Sequence, residues 1–243
     1  MNYLIEIATS DFATTKSAVE GGADRIELCA NLAEGGTTPS YAHIKKCREA
    51  FDVLIYPIIR PRGGDFLYSK DEFAIMENDI RLCKELGCDG VVIGLLNMDG
   101  TIDIIRTAEI LELAYPMGVT FHRAFDRCKD PFIALEELID IGCERILTSG
   151  QMPSVNDGVE LIAELNKKAD SRIIIMPGSG VRKENINMLA QKTGCTEFHS
   201  SLRNKIKSPM QFVHPAFANS EESYLNNFID PGAVKELYRA LNK

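Results

Sequence analysis

Eight times along this chain a short run rich in branched apolar residues is followed by a segment of helical length. The pair recurs about every thirty residues, the length of one strand–crossover unit. The predicted strands are 3–8, 24–29, 53–59, 90–95, the run opening at Val119, 145–148, 172–176 and 196–199. Between them lie helical stretches with recognisable ends. Ser10 or Asp11, Ser40 and the Asp130-Pro131 pair can cap helix starts, because a short polar side chain satisfies orphan N–H groups and proline at N1 costs no bond. Glycines at 21–22, 87, 142 and 194 mark helix stops. Parallel neighbours need a crossover helix, so alternation of this kind builds a parallel sheet. Strands that look apolar on both faces fit burial between helices and a barrel interior. Eight units in 243 residues therefore predict an α/β fold, one (β/α)8 TIM barrel spanning 1–243. A doubly wound sheet is the alternative, but the Gly-rich dinucleotide fingerprint after strand one is missing. One segment breaks the rhythm: 204–229, long and polar, between strand eight and the last helix, predicted to be an irregular lid, arm or oligomer contact.

Composition narrows the function classes. The net charge of −8 argues against nucleic acid or an anionic membrane as the main partner. No apolar run approaches the roughly 18 residues a membrane span needs, and the first residues do not form a signal peptide. Seven cysteines without CxxC pairs suggest reduced thiols and a cytoplasmic location. That spacing gives no zinc site, and neither a Gly-x-Ser-x-Gly elbow nor a Cys–His–Asn triad is present.

A barrel collects its chemistry at the C-terminal strand ends, and here polar residues gather at that address. Val-Thr-Phe-His-Arg-Ala-Phe-Asp (119–126) turns an apolar strand into His122, Arg123 and Asp126 within five residues. Glu6 and Glu27 lie inside strands one and two; they can pair with an interior arginine such as Arg25, or serve as a general base. Arg60-Pro-Arg62-Gly-Gly offers two fork-shaped donors for a phosphate or carboxylate, or two solvated surface arginines. Gly178, Ser179 and Gly180 follow strand seven, where barrels bind anions through backbone N–H groups, and Ser149 closes strand six. A small anionic ligand is the expected partner. His122 with Glu27 or Glu6 would form an acid–base pair, Arg60, Arg62 and 178–180 an anion clamp, and Arg123 or Ser149 an orienting group.

The runs Gly22-Ala-Asp-Arg-Ile-Glu-Leu-Cys29, Ile59-Arg-Pro-Arg-Gly-Gly-Asp-Phe66, Thr120-Phe-His-Arg-Ala-Phe-Asp126, Arg145-Ile-Leu-Thr-Ser-Gly-Gln151 and Met176-Pro-Gly-Ser-Gly-Val-Arg182 resemble the CutC family of copper homeostasis proteins. That resemblance implies the same barrel, a cytosolic location, a homodimer or higher homo-oligomer, and copper tolerance through Cu(I) binding by cysteines. Cys29 matches the family pattern best, with Cys47 as a partner thiol. Two functions are thus expected: a Cu(I)-binding homeostasis protein, or an enzyme acting on a small phosphate- or carboxylate-bearing metabolite at the barrel mouth.

Overall fold

The computed structural model describes residues 3–217 and 224–241. Eight parallel strands form the wall: β1 (Leu4–Thr9), β2 (Arg25–Leu28), β3 (Leu54–Pro57), β4 (Gly90–Ile93), β5 (Gly118–Phe121), β6 (Arg145–Thr148), β7 (Ile174–Pro177) and β8 (Glu197–Ser200). Around them stand α1 (Phe12–Glu20), α2 (Tyr41–Ala50), α3 (Lys70–Glu85), α4 (Ile104–Ala114), α5 (Pro131–Asp140), α6 (Val159–Ala169), α7 (Ile186–Thr193) and α8 (Pro231–Leu241). Ladders join the strands in two groups, β3-β2-β1-β8 and β4-β5-β6-β7. A parallel bridge between Ile58 and Val92 links β3 to β4, and β7 packs beside β8, closing the circle. This is a (β/α)8 barrel.

Local chemistry explains the helix starts. Asp11 and Ser69 form reciprocal capping boxes with Thr14 and Glu72. Ser40 accepts from the His43 amide, and Asp130 accepts from Phe132 and Ile133 ahead of Pro131. Short turns precede α6 at Val159 and α7 at Ile186.

The interior differs from the sequence expectation of strands apolar on both faces. Residues of one parity (Ile5, Ile7, Ile26, Leu28, Ile55, Val91, Ile93, Val119, Phe121, Ile146, Ile175, Phe198) pack outward against the helices in one continuous core. The other parity points inward, and it is charged. Arg25 donates to Glu6 through Nε and to Glu197 at 2.7 Å through Nη2. Arg145 reaches the same Glu197 oxygen at 2.6 Å and Glu144 at 2.8 Å. Both guanidinium groups lie against the Tyr56 ring, at 5.1 and 5.7 Å. A barrel plugged by Arg25, Arg145, Glu6, Glu197 and Tyr56 is a floor of mutually paired charges, which burial otherwise forbids.

The 204–229 segment is also more regular than expected. Its ends pair as an antiparallel ribbon, β9 (Asn204–Lys207) with β10 (Leu225–Phe228), in register Asn204↔Phe228. The tip of the expected arm, 218–223, lies outside the described residues.

Candidate functional site

Above the charged floor, the C-terminal strand ends enclose a cavity of about 180 Å³. Its lining includes Glu27, Arg60, Phe66, His122, Arg123, Ser179, Gly180, His199 and Arg203. The sequence period of two explains the convergence: Glu27 follows inward Arg25, His122 follows inward Thr120, and His199 follows inward Glu197.

On one wall, His199 Nδ1 lies 2.8 Å from Glu6 Oε1, and His199 Nε2 lies 3.7 Å from Glu27 Oε2. Burial alone would raise the Glu6 carboxyl, but Arg25 and the His199 bond overcome it and hold Glu6 well below its usual range. Burial alone would lower His199; the bond to Glu6 and the charges of Glu27 and Glu6 win and raise it. Glu27 has no such cation bonded to it, so burial dominates and pushes its carboxyl up. The result is an imidazole whose charged form is favoured, held by one carboxylate and facing a second whose neutral form is favoured.

On another wall the logic reverses. His122 is 4 % exposed. Burial and the Arg60 charge lower its pKa to about 3, so the ring is neutral. Its Nδ1 accepts from the Ala124 amide at 3.1 Å, which places the proton on Nε2. That Nε2 is buried and has no partner among the described residues. Phe66 packs 4.9 Å from the ring, and Gly94 leaves the space for it: a Cβ there would meet His122 Nδ1 at 2.3 Å.

Arg60 borders the cavity, yet its terminal nitrogens are occupied. Nη1 donates to the carbonyls of Glu34 and Gly36, and Nη2 to Gly64, all at 2.8 Å, while Nε is buried and unpartnered. Arg60 therefore ties the loops after β2 and β3 together and lends the cavity charge rather than a fork.

Arg62 departs from the expected clamp. It turns to the surface, where Glu72 at 2.5 Å, Asp65 at 3.0 Å and the Leu67 carbonyl hold it. Ser149 is likewise withdrawn from ligand contact. Its amide and hydroxyl lie about the Asp126 carboxylate at 2.9–3.0 Å, and its Oγ accepts from Arg123 at 2.7 Å. Asp126 also takes the Thr148 hydroxyl at 2.5 Å and the Gln151 amide at 3.1 Å. Asp126 is thus the organiser of the loops after β5 and β6, and Arg123, paired to it at 2.7 Å, is the member that reaches the cavity.

After β7 the Gly178 amide is spent on the Thr148 carbonyl at 2.9 Å, so Gly178 drops out of the anion set. Ser179 and Gly180, both at positive φ, line the cavity, and their amides have no acceptor among the described residues. Glu6, fully buried, sits beneath the cavity rather than in it. Sequence reasoning placed His199 at a strand end without assigning it a role and missed Arg203. The signal for His199 was its parity with Glu197; Arg203 had none, since it enters from the loop beyond β8 and donates to the Leu32 carbonyl at 3.1 Å.

The thiols are not brought together as expected. Cys29 lies inside the barrel with Tyr56, Ile58 and Val92, whereas Cys47 belongs to the layer between α2 and the sheet. Burial, and for Cys29 the neighbouring Glu27 charge, push both thiols up, away from the thiolate a soft metal needs. Among the described residues no three His, Cys, Asp or Glu side chains are disposed to hold a metal ion. Cys83 and Cys88 lie beside each other, the Cys88 amide donating to the Cys83 carbonyl at 3.0 Å.

Known proteins resemble this chain closely. A family protein CutC from Chromobacterium violaceum is 46 % identical over the full length of both chains, and one from Parabacteroides distasonis is 52 % identical over 87 % of this chain and 88 % of its own. The crystal structure of a CutC from Streptococcus agalactiae, described as a copper homeostasis protein, superposes with a TM-score of 0.78 at 33 % identity, covering 82 % of this chain and 98 % of that one. A thiamine phosphate pyrophosphorylase from Pyrococcus furiosus, at 16 % identity and a TM-score of 0.60 over 99 % of this chain and 95 % of that one, shares the fold alone. The family model described as CutC family matches residues 3–204, strands β1 to β8 and the residues of the cavity up to Arg203, and this chain belongs to the CutC family.

Proposed function

We propose that the barrel mouth is an acid–base site for a small anionic metabolite. One observation carries the reading: His122, whose buried Nε2–H has no partner among the described residues, lines the same small cavity as Glu27 and His199. An orphaned buried donor costs about 1–3 kcal/mol, a cost a ligand's acceptor would remove. Arg60, Arg123 and Arg203 make that cavity positive in an acidic protein, and the amides of Ser179 and Gly180 suit a phosphate or carboxylate. The test is thermal denaturation with millimolar phosphate and with small carboxylates. The expected outcome is a rise in Tm for wild type that Arg203→Ala reduces; no rise with any anion removes the reading.

A second reading rests on family membership and on the streptococcal relative's description as a copper homeostasis protein: cytosolic Cu(I) binding through Cys29 with Cys47. All seven cysteines are free, in keeping with a reducing compartment. The placement of Cys29 and Cys47 on opposite faces of the sheet disfavours that pair as a joint site. An anaerobic Cu(I) competition titration decides it. We expect Cys29→Ser to leave Cu(I) affinity unchanged; a large loss would restore the copper reading with Cys29 at its centre.

A further inference from the structure

Resting on the anionic-metabolite reading, we infer that this site moves a proton on the carbon next to a carbonyl, in a small hydroxy-carbonyl compound bearing a phosphate or carboxylate. The inference comes from the division of labour in the cavity. His122 can only donate: Nδ1 is engaged by the Ala124 amide, and the proton sits on Nε2. Arg60 beside it is a fixed cation whose terminal nitrogens are already satisfied, so its charge acts through space. A neutral N–H backed by a buried cation stabilises an oxygen on which negative charge develops. Glu27 is the complementary group, a buried carboxyl that lines the cavity with its Oε2 3.7 Å from His199 Nε2. Glu6 holds His199 from behind at 2.8 Å, so His199 is a positioning residue for Glu27.

The chemistry balances without a redox partner. The substrate carbonyl oxygen accepts the His122 Nε2–H. Glu27 as carboxylate takes the proton from the adjacent carbon. The C–H electron pair becomes the carbon–carbon double bond, and the carbonyl π pair moves onto oxygen, giving an enediolate stabilised by His122 and Arg60. Glu27 as carboxylic acid then returns the proton, either to the same carbon or to its neighbour; in the second case the proton of the adjacent hydroxyl passes to the enediolate oxygen, so that the carbonyl changes place. The first outcome is hydrogen exchange and the second is isomerisation. A cavity of about 180 Å³ fits a compact metabolite. The amides of Ser179 and Gly180 are placed for its anionic end.

Two measurements on the full chain test the inference. Calorimetry compares 2-phosphoglycolate, whose planar carboxylate mimics an enediolate, with inorganic phosphate. Proton NMR in D2O follows loss of the hydroxymethyl hydrogen signal of dihydroxyacetone phosphate, a hydroxy-carbonyl compound that bears a phosphate. We expect 2-phosphoglycolate to bind wild type at least tenfold tighter than phosphate. His122→Asn should abolish that preference while phosphate affinity persists, which also shows that the variant folds. Glu27→Gln should abolish exchange with phosphate binding intact. If phosphate binds but 2-phosphoglycolate is no tighter and no exchange occurs, the proton-transfer inference falls and the anion site stands. If neither anion binds, the anion reading itself falls.

Discussion

His122 is held neutral down to a pH of about 3, whereas in an unfolded chain the same imidazole protonates near its ordinary value of 6.5. Between those values the unfolded chain binds the proton and the folded one does not. Stability from this site is therefore full above about 6.5 and lost as pH falls, with a slope of at most about 1.4 kcal/mol per pH unit. Denaturant titrations between pH 4 and 7 should show a shallower acid-side decline in His122→Asn than in wild type; an identical slope would mean that the ring is not held neutral. Gly94 tests the same ring by geometry. A Cβ would lie 2.3 Å from the ring and 2.8 Å from the Ala124 Cβ. Gly94→Ala should displace His122 and weaken 2-phosphoglycolate binding more than tenfold while phosphate binding persists, read by calorimetry at temperatures where the variant stays folded.

Elements differ in how much of their role is local. The loops after β5 and β6 are fastened by Asp126, which collects Thr148, Ser149, Gln151 and Arg123. Asp126→Asn keeps the size but exchanges a charged acceptor for one that must also place an NH2 group among donors. Its cost should be about 2–3 kcal/mol by chemical denaturation, together with weaker anion binding because Arg123 loses its anchor. The β9–β10 ribbon is a different case: Ile206, Met210, Phe212 and Leu225 are exposed on and beside it. Apolar residues exposed on a projecting arm favour a subunit contact. Replacing 208–224 by a short Gly-Ser turn should lower the solution mass measured by light scattering; an unchanged mass would take the arm out of any interface.

The whole molecule stands on a barrel interior that is ionic. Glu6, Arg25, Glu197 and Arg145 form one chain of charges, and each neutralises the next. Breaking such a chain leaves a buried charge alone, at about 3–5 kcal/mol. Glu6→Gln should therefore cost this much in urea denaturation, far more than removal of the exposed pair Arg172–Glu136, which water and salt screen. Glu6 also lowers stability from the acid side: its folded carboxyl titrates below the unfolded value of 4.5, so its contribution is present above that pH and lost as pH falls further.

Architecture and helix caps were legible along the chain, because strand and helix periods, Asp11, Asp130 and the helix-ending glycines act within a few residues of one another. So were Glu27 and His122 near strand ends, where position along a barrel strand dictates the rim. Which rim residues serve the cavity follows from long-range packing. Arg60 and Arg62 share a parity, yet Asp65 and Glu72 capture one and three carbonyls fix the other. Ser149 lost its freedom to Asp126, which approaches across 23 residues of chain. Cys29 and Cys47 are separated by the sheet between them. Such outcomes depend on long-range partners competing for the same donors, and that competition is settled when the barrel closes.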